Sequence, residues 1–363
     1  MSIFFFIAGL ALLVVGAEVL VKGASNLASA LGVSPLIIGL TVVAFATSSP
    51  ELAVSVKSSL SGQADIALGN VIGSNIMNIL FILGLSAIII PLSVSRQLIR
   101  LDVPLLIVLS PLVLLLSLDG NLGRIDGILL VAGLILYLCF LIRQSRKEKG
   151  EMQLDGIAEA ESGQPQWVKN IALVVGGLVL LVVGSRWFVN SAVSFAEYLK
   201  ISELVIGLTI VAAGTSMPEA VTSVIAALRG ERDMAVGNVI GSNIFNLMGV
   251  LGVAAVLSPT GITVSPSVLR FDLPVMIAVA LACLPIFFTE GVISRKEGVL
   301  FFGYYLAYTI YLVLAASGHD ALPRFSAVML YFVLPLTAIT LIIVSLQEFR
   351  MRKKGVQSKT SLR

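Results

Sequence analysis

Eleven stretches of about twenty mostly apolar residues, divided by short polar turns, limit what this chain can fold into more than any other feature. They lie near residues 2–22, 36–60, 66–91, 102–119, 125–143, 167–190, 203–228, 235–258, 270–290, 297–317 and 325–346. A helix of that length satisfies its own backbone groups across the hydrocarbon layer of a bilayer. A soluble fold could not hide so much apolar surface. Only 12% of the 363 residues are charged, whereas soluble domains carry about 25%. The first stretch, MSIFFFIAGLALLVVGAEVLV, has no basic n-region and no small-residue cleavage site, so it reads as a retained span. The fold class expected is an all-α polytopic membrane protein.

The distribution of Lys and Arg orients the spans, because connections on the cytoplasmic side carry the excess. With the N-terminus outside, 18 of the 24 basic residues are cytoplasmic, among them Arg96, Arg100, Arg143, Arg229, Arg232, Arg295 and the six from Arg350 to Arg363. The C-terminus is then cytoplasmic. The net charge of +3 reflects these inner connections and calls for no nucleic-acid partner. Cys139 and Cys283 lie in apolar stretches without metal-ligand spacing.

One long polar connection, residues 144–166, divides the chain. Residues 1–143 form a first unit and residues 167–317 a second, with 318–363 an appended helix and basic tail. The connection reads as a flexible cytoplasmic linker. The two units are related. A shift of 168 residues aligns GLTVVAFATSSPELAVSVKSSLSGQADIALGNVIGSNIMN, starting at Gly39, with GLTIVAAGTSMPEAVTSVIAALRGERDMAVGNVIGSNIFN, starting at Gly207, with 24 of 40 positions identical and no gap. Five spans precede the linker, and an odd number makes the second copy enter the membrane from the opposite side. Inverted repeats are the architecture of many secondary transporters, with the substrate site at the midplane between the copies.

The repeated residues carry the chemistry. Thr47, Ser48 and Glu51 stand at i, i+1 and i+4, which predicts one helical face bearing two hydroxyls and a carboxylate, and Thr215, Ser216 and Glu219 repeat them. Pro50 and Pro218 lack the amide hydrogen that continues a helix, so each opens its helix beside a carboxylate. In the next span Ser74 and Asn78 are repeated as Ser242 and Asn246, and Gly69, Gly73, Gly237 and Gly241 allow close helix approach. All of these ligands are oxygens, which suit hard cations such as calcium and sodium. A carboxylate at mid-bilayer costs about 2.5–3.5 kcal/mol on insertion scales. A bound cation would offset that cost. Asp65 and Asp233 at span ends read as caps or interface charges, Ser55 and Ser223 as hydroxyls bonded to their own helices, and Glu18 and Arg186, equivalent under the shift, as a pair across the symmetry axis.

The paired segments ATSSPE and GTSMPE, each followed by GNVIGSNI, resemble the two α-repeats of the calcium/cation antiporter superfamily, in particular its prokaryotic sodium/calcium exchangers. The resemblance implies two inverted five-helix halves whose second, third, seventh and eighth spans surround four cation positions. It implies Glu51 and Glu219 as shared central ligands, with Thr47, Thr215 and the carbonyls of Ala44 and Ala212. Ser48, Ser216, Ser74, Ser242, Asn78 and Asn246 complete the sodium positions, and the first and sixth spans form the unit that slides. Two departures stand out: Ala46 where the family motif usually has Gly, and Asn246 where many members have Asp.

The function expected is antiport of calcium against sodium in a prokaryotic plasma membrane, with the two ions and the lipid bilayer as partners, no cofactor and no obligate protein partner. Calcium/proton exchange is the alternative, in which the glutamates carry protons; the hydroxyl and amide ligands would then be idle. A cation channel would use the same oxygens as a filter, but inverted repeats on one chain fit a carrier better. An enzyme is disfavoured because the chain has no HExxH, no phosphate loop and no Ser/His pairing.

Overall fold

The computed structural model describes residues 2–154, 167–201, 203–206, 209–210, 212–288 and 291–339. Residues 155–166 of the linker and the basic tail beyond residue 339 lie outside them. Nine of the described helices are long and apolar enough to cross a bilayer: Ile3–Leu31, Ile66–Ile89, Leu98–Leu116, Arg124–Ser145, Trp167–Tyr198, Arg232–Leu257, Val268–Phe287, Arg295–Ala316 and Leu322–Ile339. The second span is a broken pair, Pro35–Thr47 and Ser49–Leu60, bent by 45°. The seventh is described in the pieces Glu203–Ile206, Ala212–Gly214 and Met217–Leu228. The fifth helix runs on to Leu154, ten residues past Gln144.

Among the described residues the regular structure other than helix is four two-residue strands: β1 (Leu92–Ser93), β2 (Asn121–Leu122), β3 (Ile262–Thr263) and β4 (Val292–Ile293). Their pairing displays the inversion. β1 follows the third span and β3 follows its counterpart, the eighth, yet β1 pairs with β4 and β2 with β3, both antiparallel. The fourth span separates β1 from β2, so counterpart connections lie at opposite ends of the molecule.

Inside a bilayer there is no hydrophobic force between helices, so small residues that admit close backbone contact bind them. The first and sixth spans lie against each other through Gly9, Gly16, Gly177 and Gly184, whose positions are two pairs of repeat equivalents. A Cβ on Gly177 would stand 2.6 Å from the amide nitrogen of Leu20 and 2.7 Å from the carbonyl oxygen of Gly16. The contacts of Gly84 with Gly298 and of Gly127 with Gly252 join the third span to the tenth and the eighth to the fifth in the same way. Gly237 and Gly241 admit the second span, with would-be Cβ distances of 2.9 and 2.7 Å to the carbonyl oxygens of Leu36 and Leu40. At Gly69 and Gly73 no described atom lies within 4 Å. The third and eighth spans form the centre, with 72% and 83% of their apolar stretch buried, while the tenth (6%) and eleventh (0%) are peripheral.

The first and sixth helices extend past the apolar stretches read from the sequence, to Leu31 and Tyr198. Each ends on a left-handed residue at equivalent places, Gly32 at φ 63° and Lys200 at φ 57°. The closing bonds correspond too: Val33 N to Ala28 O and Ile201 N to Ala196 O, both 3.0 Å. Glycine holds this conformation freely, whereas a residue with a Cβ is strained there by about 1–2 kcal/mol. Lys200→Gly is therefore expected to stabilise the protein by about 1 kcal/mol, read as a higher thermal midpoint of the purified protein.

Glu18 does not pair with Arg186. Its carboxylate meets Arg229 at 2.7 Å, and Ser25, two turns further along the first span, donates to Glu231 at 2.6 Å. Repeat equivalence aligned Glu18 with Arg186 in sequence; the inverted packing instead lays the first span against the turn between the seventh and eighth.

Candidate cation site

The break in the second span falls at Ser48, whose φ of −81° and ψ of 5° leave the helical region; Ser216 repeats it at −88° and 8°. Helix resumes at the next residue with proline at its second position and Glu51 or Glu219 at its third. Proline suits the first turn of a helix, where amide hydrogens have no intrahelical acceptor. It also leaves the carbonyl four residues back without its donor. The expected single face of Thr47, Ser48 and Glu51 is thus broken, because the helix bends at Ser48, between Thr47 and Glu51.

The break redirects the hydroxyls across the repeat boundary. Ser48 Oγ donates to Glu219 Oε1 at 3.1 Å, and Ser216 Oγ donates to Glu51 Oε1 at 2.9 Å. Ser74 Oγ also reaches Glu51 Oε1, at 3.4 Å, and lies 3.0 Å from Ser216 Oγ. Thr47 Oγ1 donates to Asn238 Oδ1 at 3.1 Å, and Thr215 Oγ1 to Asn70 Oδ1 at 3.3 Å. The Ala44 carbonyl accepts from Ser48 N at 3.0 Å and lies 3.5 Å from Thr47 Oγ1. Ala212 opens the short turn Ala212–Gly214. Asn78 and Asn246 each begin a π-helical turn, Asn78–Leu83 and Asn246–Val250, a distortion frequent at functional sites.

Thr47, Ser48, Glu51, Asn78, Ser216, Glu219, Ser242 and Asn246 have no solvent exposure. Within this buried cluster, Glu51 Oε2, Glu219 Oε2, Asn78 Oδ1, Asn246 Oδ1 and Ser242 Oγ have no hydrogen-bond partner among the described residues. Among the described residues no Lys, Arg or His forms an ion pair with either glutamate. An apolar cleft of about 370 Å³ lies beside the second span, lined by Phe45, Ala46, Tyr137, Ile244 and Phe245 among others, but none of these unpartnered side chains borders it.

Four asparagines missed in the sequence belong to the framework. Asn70 Nδ2 donates to Ser55 Oγ and Asn238 Nδ2 to Ser223 Oγ, both at 2.9 Å. Ser55 in turn reaches the Ala67 carbonyl of the next span at 3.4 Å, so it does not bond its own helix as expected. Asn75 and Asn243 join the third and eighth spans. Their signal was present: all four are identical between the repeats. Asp233, in the first turn of the eighth span, accepts from Ser93 at 3.5 Å and so faces the connection after the third span.

The sodium/calcium exchanger protein family matches residues 1–143 and 169–314. The sodium/calcium exchanger MaX1 of Methanosarcina acetivorans is 33% identical over 338 residues, covering 84% of this chain and 96% of that protein. The inner membrane protein YrbG of Escherichia coli is 41% identical over 278 residues, covering 76% of this chain and 85% of its own. A solved structure of the sodium-calcium exchanger NCX_Mj superposes with a TM-score of 0.72 at 33% identity, covering 84% of this chain and 96% of that one. With two inverted halves meeting at paired broken helices, and with this match over most of its length, the chain belongs to the sodium/calcium exchanger protein family.

Proposed function

We propose that this antiporter exchanges calcium for sodium, with Glu51, Glu219, Thr47, Thr215, Ser48, Ser216, Ser74, Ser242, Asn78, Asn246 and the carbonyls of Ala44 and Ala212 taking the ions in turn. One observation carries the reading. Four buried acceptor oxygens, in two repeat-related pairs on side chains that bond across to the other repeat, have no donor among the described residues. An unmet buried polar group costs about 1–3 kcal/mol, and more when charged. A cation satisfies all four at once, where a hydrogen-bond donor would satisfy one. Amide and hydroxyl oxygens favour sodium as the second ion, since protons would need the carboxylates alone. The burial of the cluster corresponds to an occluded stage, from which the halves open to either side in turn. The membrane is the plasma membrane of a prokaryote, with the N-terminus outside and the C-terminus in the cytoplasm.

The test is calcium flux in proteoliposomes with sodium, proton and potassium gradients imposed one at a time. A sodium gradient is expected to drive uptake, and replacing potassium by choline to leave it unchanged. Uptake driven by a proton gradient alone would replace this reading with calcium/proton exchange. Exchange is also expected to be electrogenic. Two carboxylates neutralise one calcium ion, whereas more than two sodium ions in the same cluster leave net positive charge. A flux that ignores clamped membrane potentials would show an electroneutral cycle.

A further inference from the structure

The geometry points to Asn75 and Asn243 as positioning residues that fix which end of the Asn78 and Asn246 amides faces the cation, an inference that rests on the cluster being a cation site. An asparagine side chain can present either a carbonyl oxygen or an NH2 group, nearly equal in shape and opposite in polarity. Only the oxygen attracts a cation. Something must therefore hold each amide one way round, and the ion cannot do so while the site changes occupants.

The orientation is set by a chain of bonds that begins at the backbone. Asn243 Nδ2 donates to the Asn75 carbonyl at 3.4 Å, and Asn75 Nδ2 donates to the Asn243 carbonyl at 3.4 Å. A backbone carbonyl can only accept, so each of these side chains must turn its NH2 toward it. Their oxygens are thereby turned the other way, and each receives the next amide. Asn78 Nδ2 donates to Asn243 Oδ1 at 2.9 Å, and Asn246 Nδ2 donates to Asn75 Oδ1 at 3.2 Å. With their NH2 groups engaged, Asn78 and Asn246 have only their oxygens left over, and neither of these oxygens has a partner among the described residues. Asn75 is 1% exposed and the other three are fully buried, so bulk solvent does not reach these links. Turning Asn246 round would set oxygen against oxygen at Asn75 and aim NH2 at the cation. The four amides link the third and eighth spans by bonds that repeat across the inversion, so each half of the site is oriented by the other half.

A carboxylate needs no such orientation, because both its ends are oxygens. The experiment is a double-mutant cycle with Asn75→Leu and Asn246→Asp in the full chain. It reads the half-saturating calcium and sodium concentrations, from cation-dependent thermal stabilisation and from flux. Asn75→Leu keeps the side-chain shape and removes both the acceptor for Asn246 and the donor to the Asn243 carbonyl. It is expected to raise the half-saturating concentrations about tenfold when residue 246 is Asn, and to leave them unchanged or lower them in the Asn246→Asp background, where Asn75 Oδ1 otherwise faces a carboxylate oxygen. An equal rise in both backgrounds would make Asn75 merely structural, and no rise in either would show that it orients nothing; each overturns the inference. If Asn75→Leu does not fold, Asn243→Leu with Asn78→Asp is the equivalent cycle in the other repeat. Glu51→Gln serves as the control for the site itself. Undiminished cation stabilisation in that variant would remove the cation site, whatever the cycle shows.

Discussion

Glu51→Gln and Glu219→Gln are each expected to abolish calcium exchange while leaving the protein folded. Glutamine has the shape of glutamate and keeps an oxygen for the serine donors, Ser216 and Ser74 at Glu51 and Ser48 at Glu219. The hydrogen bonds that place the side chain therefore survive. What changes is the other atom. Glu51 Oε2 and Glu219 Oε2, both without a donor among the described residues, become NH2 groups within the buried cluster. A divalent ion then meets one carboxylate in place of two, deep in a medium where charge is poorly screened. Breaking a buried charge pairing costs about 3–5 kcal/mol, a loss of a hundredfold or more in affinity. Calcium uptake into proteoliposomes measures it, with the thermal midpoint as the check on folding. Near wild-type uptake by either folded variant would show that the carboxylates do not share the ion.

The second large effect is expected at the glycine seam between the first and sixth spans. Gly177→Val places a Cβ 2.6 Å from the Leu20 amide nitrogen and 2.7 Å from the Gly16 carbonyl oxygen. Those atoms are backbone and cannot swing aside, so the two helices must separate along their length. Overpacking of this kind costs about 1–3 kcal/mol or more. Its neighbour provides the control, since no described atom lies within 4 Å of a Cβ on Gly176. Gly177→Val is expected to lower the thermal midpoint by several degrees and to reduce folded yield, with Gly176→Val near wild type. Equal midpoints for the two variants would mean that the seam is not the tight contact described.

Much of this was legible in one dimension because bilayer and repeat act on local sequence. A span needs about twenty apolar residues wherever it packs. The run from Gly39 to Asn78 and its copy 168 residues on reveal the inversion once spans are counted. Glu51 and Glu219 stand out because buried carboxylates are costly and these two recur beside proline. Helical polarity beyond the apolar stretch was missed, so the first and sixth helices were read as ending some eight or nine residues before Leu31 and Tyr198.

The tertiary structure alone decided who meets whom. Spacing along a helix says that Ser48 and Glu51 are near in sequence. It cannot say that the bend sends Ser48 to Glu219 and leaves Glu51 to Ser216. Sequence equivalence paired Glu18 with Arg186, whereas the fold gives Glu18 to Arg229. It took Ser55 for a hydroxyl bonded to its own helix, whereas Ser55 reaches Ala67 and receives Asn70. The asparagines at 75 and 243 were visible as repeated letters, but their role lies in bonds between chain positions 168 residues apart. Periodicity records which residues share a face; only packing across the inversion axis fixes which face lies opposite, because those contacts join segments that no local propensity couples.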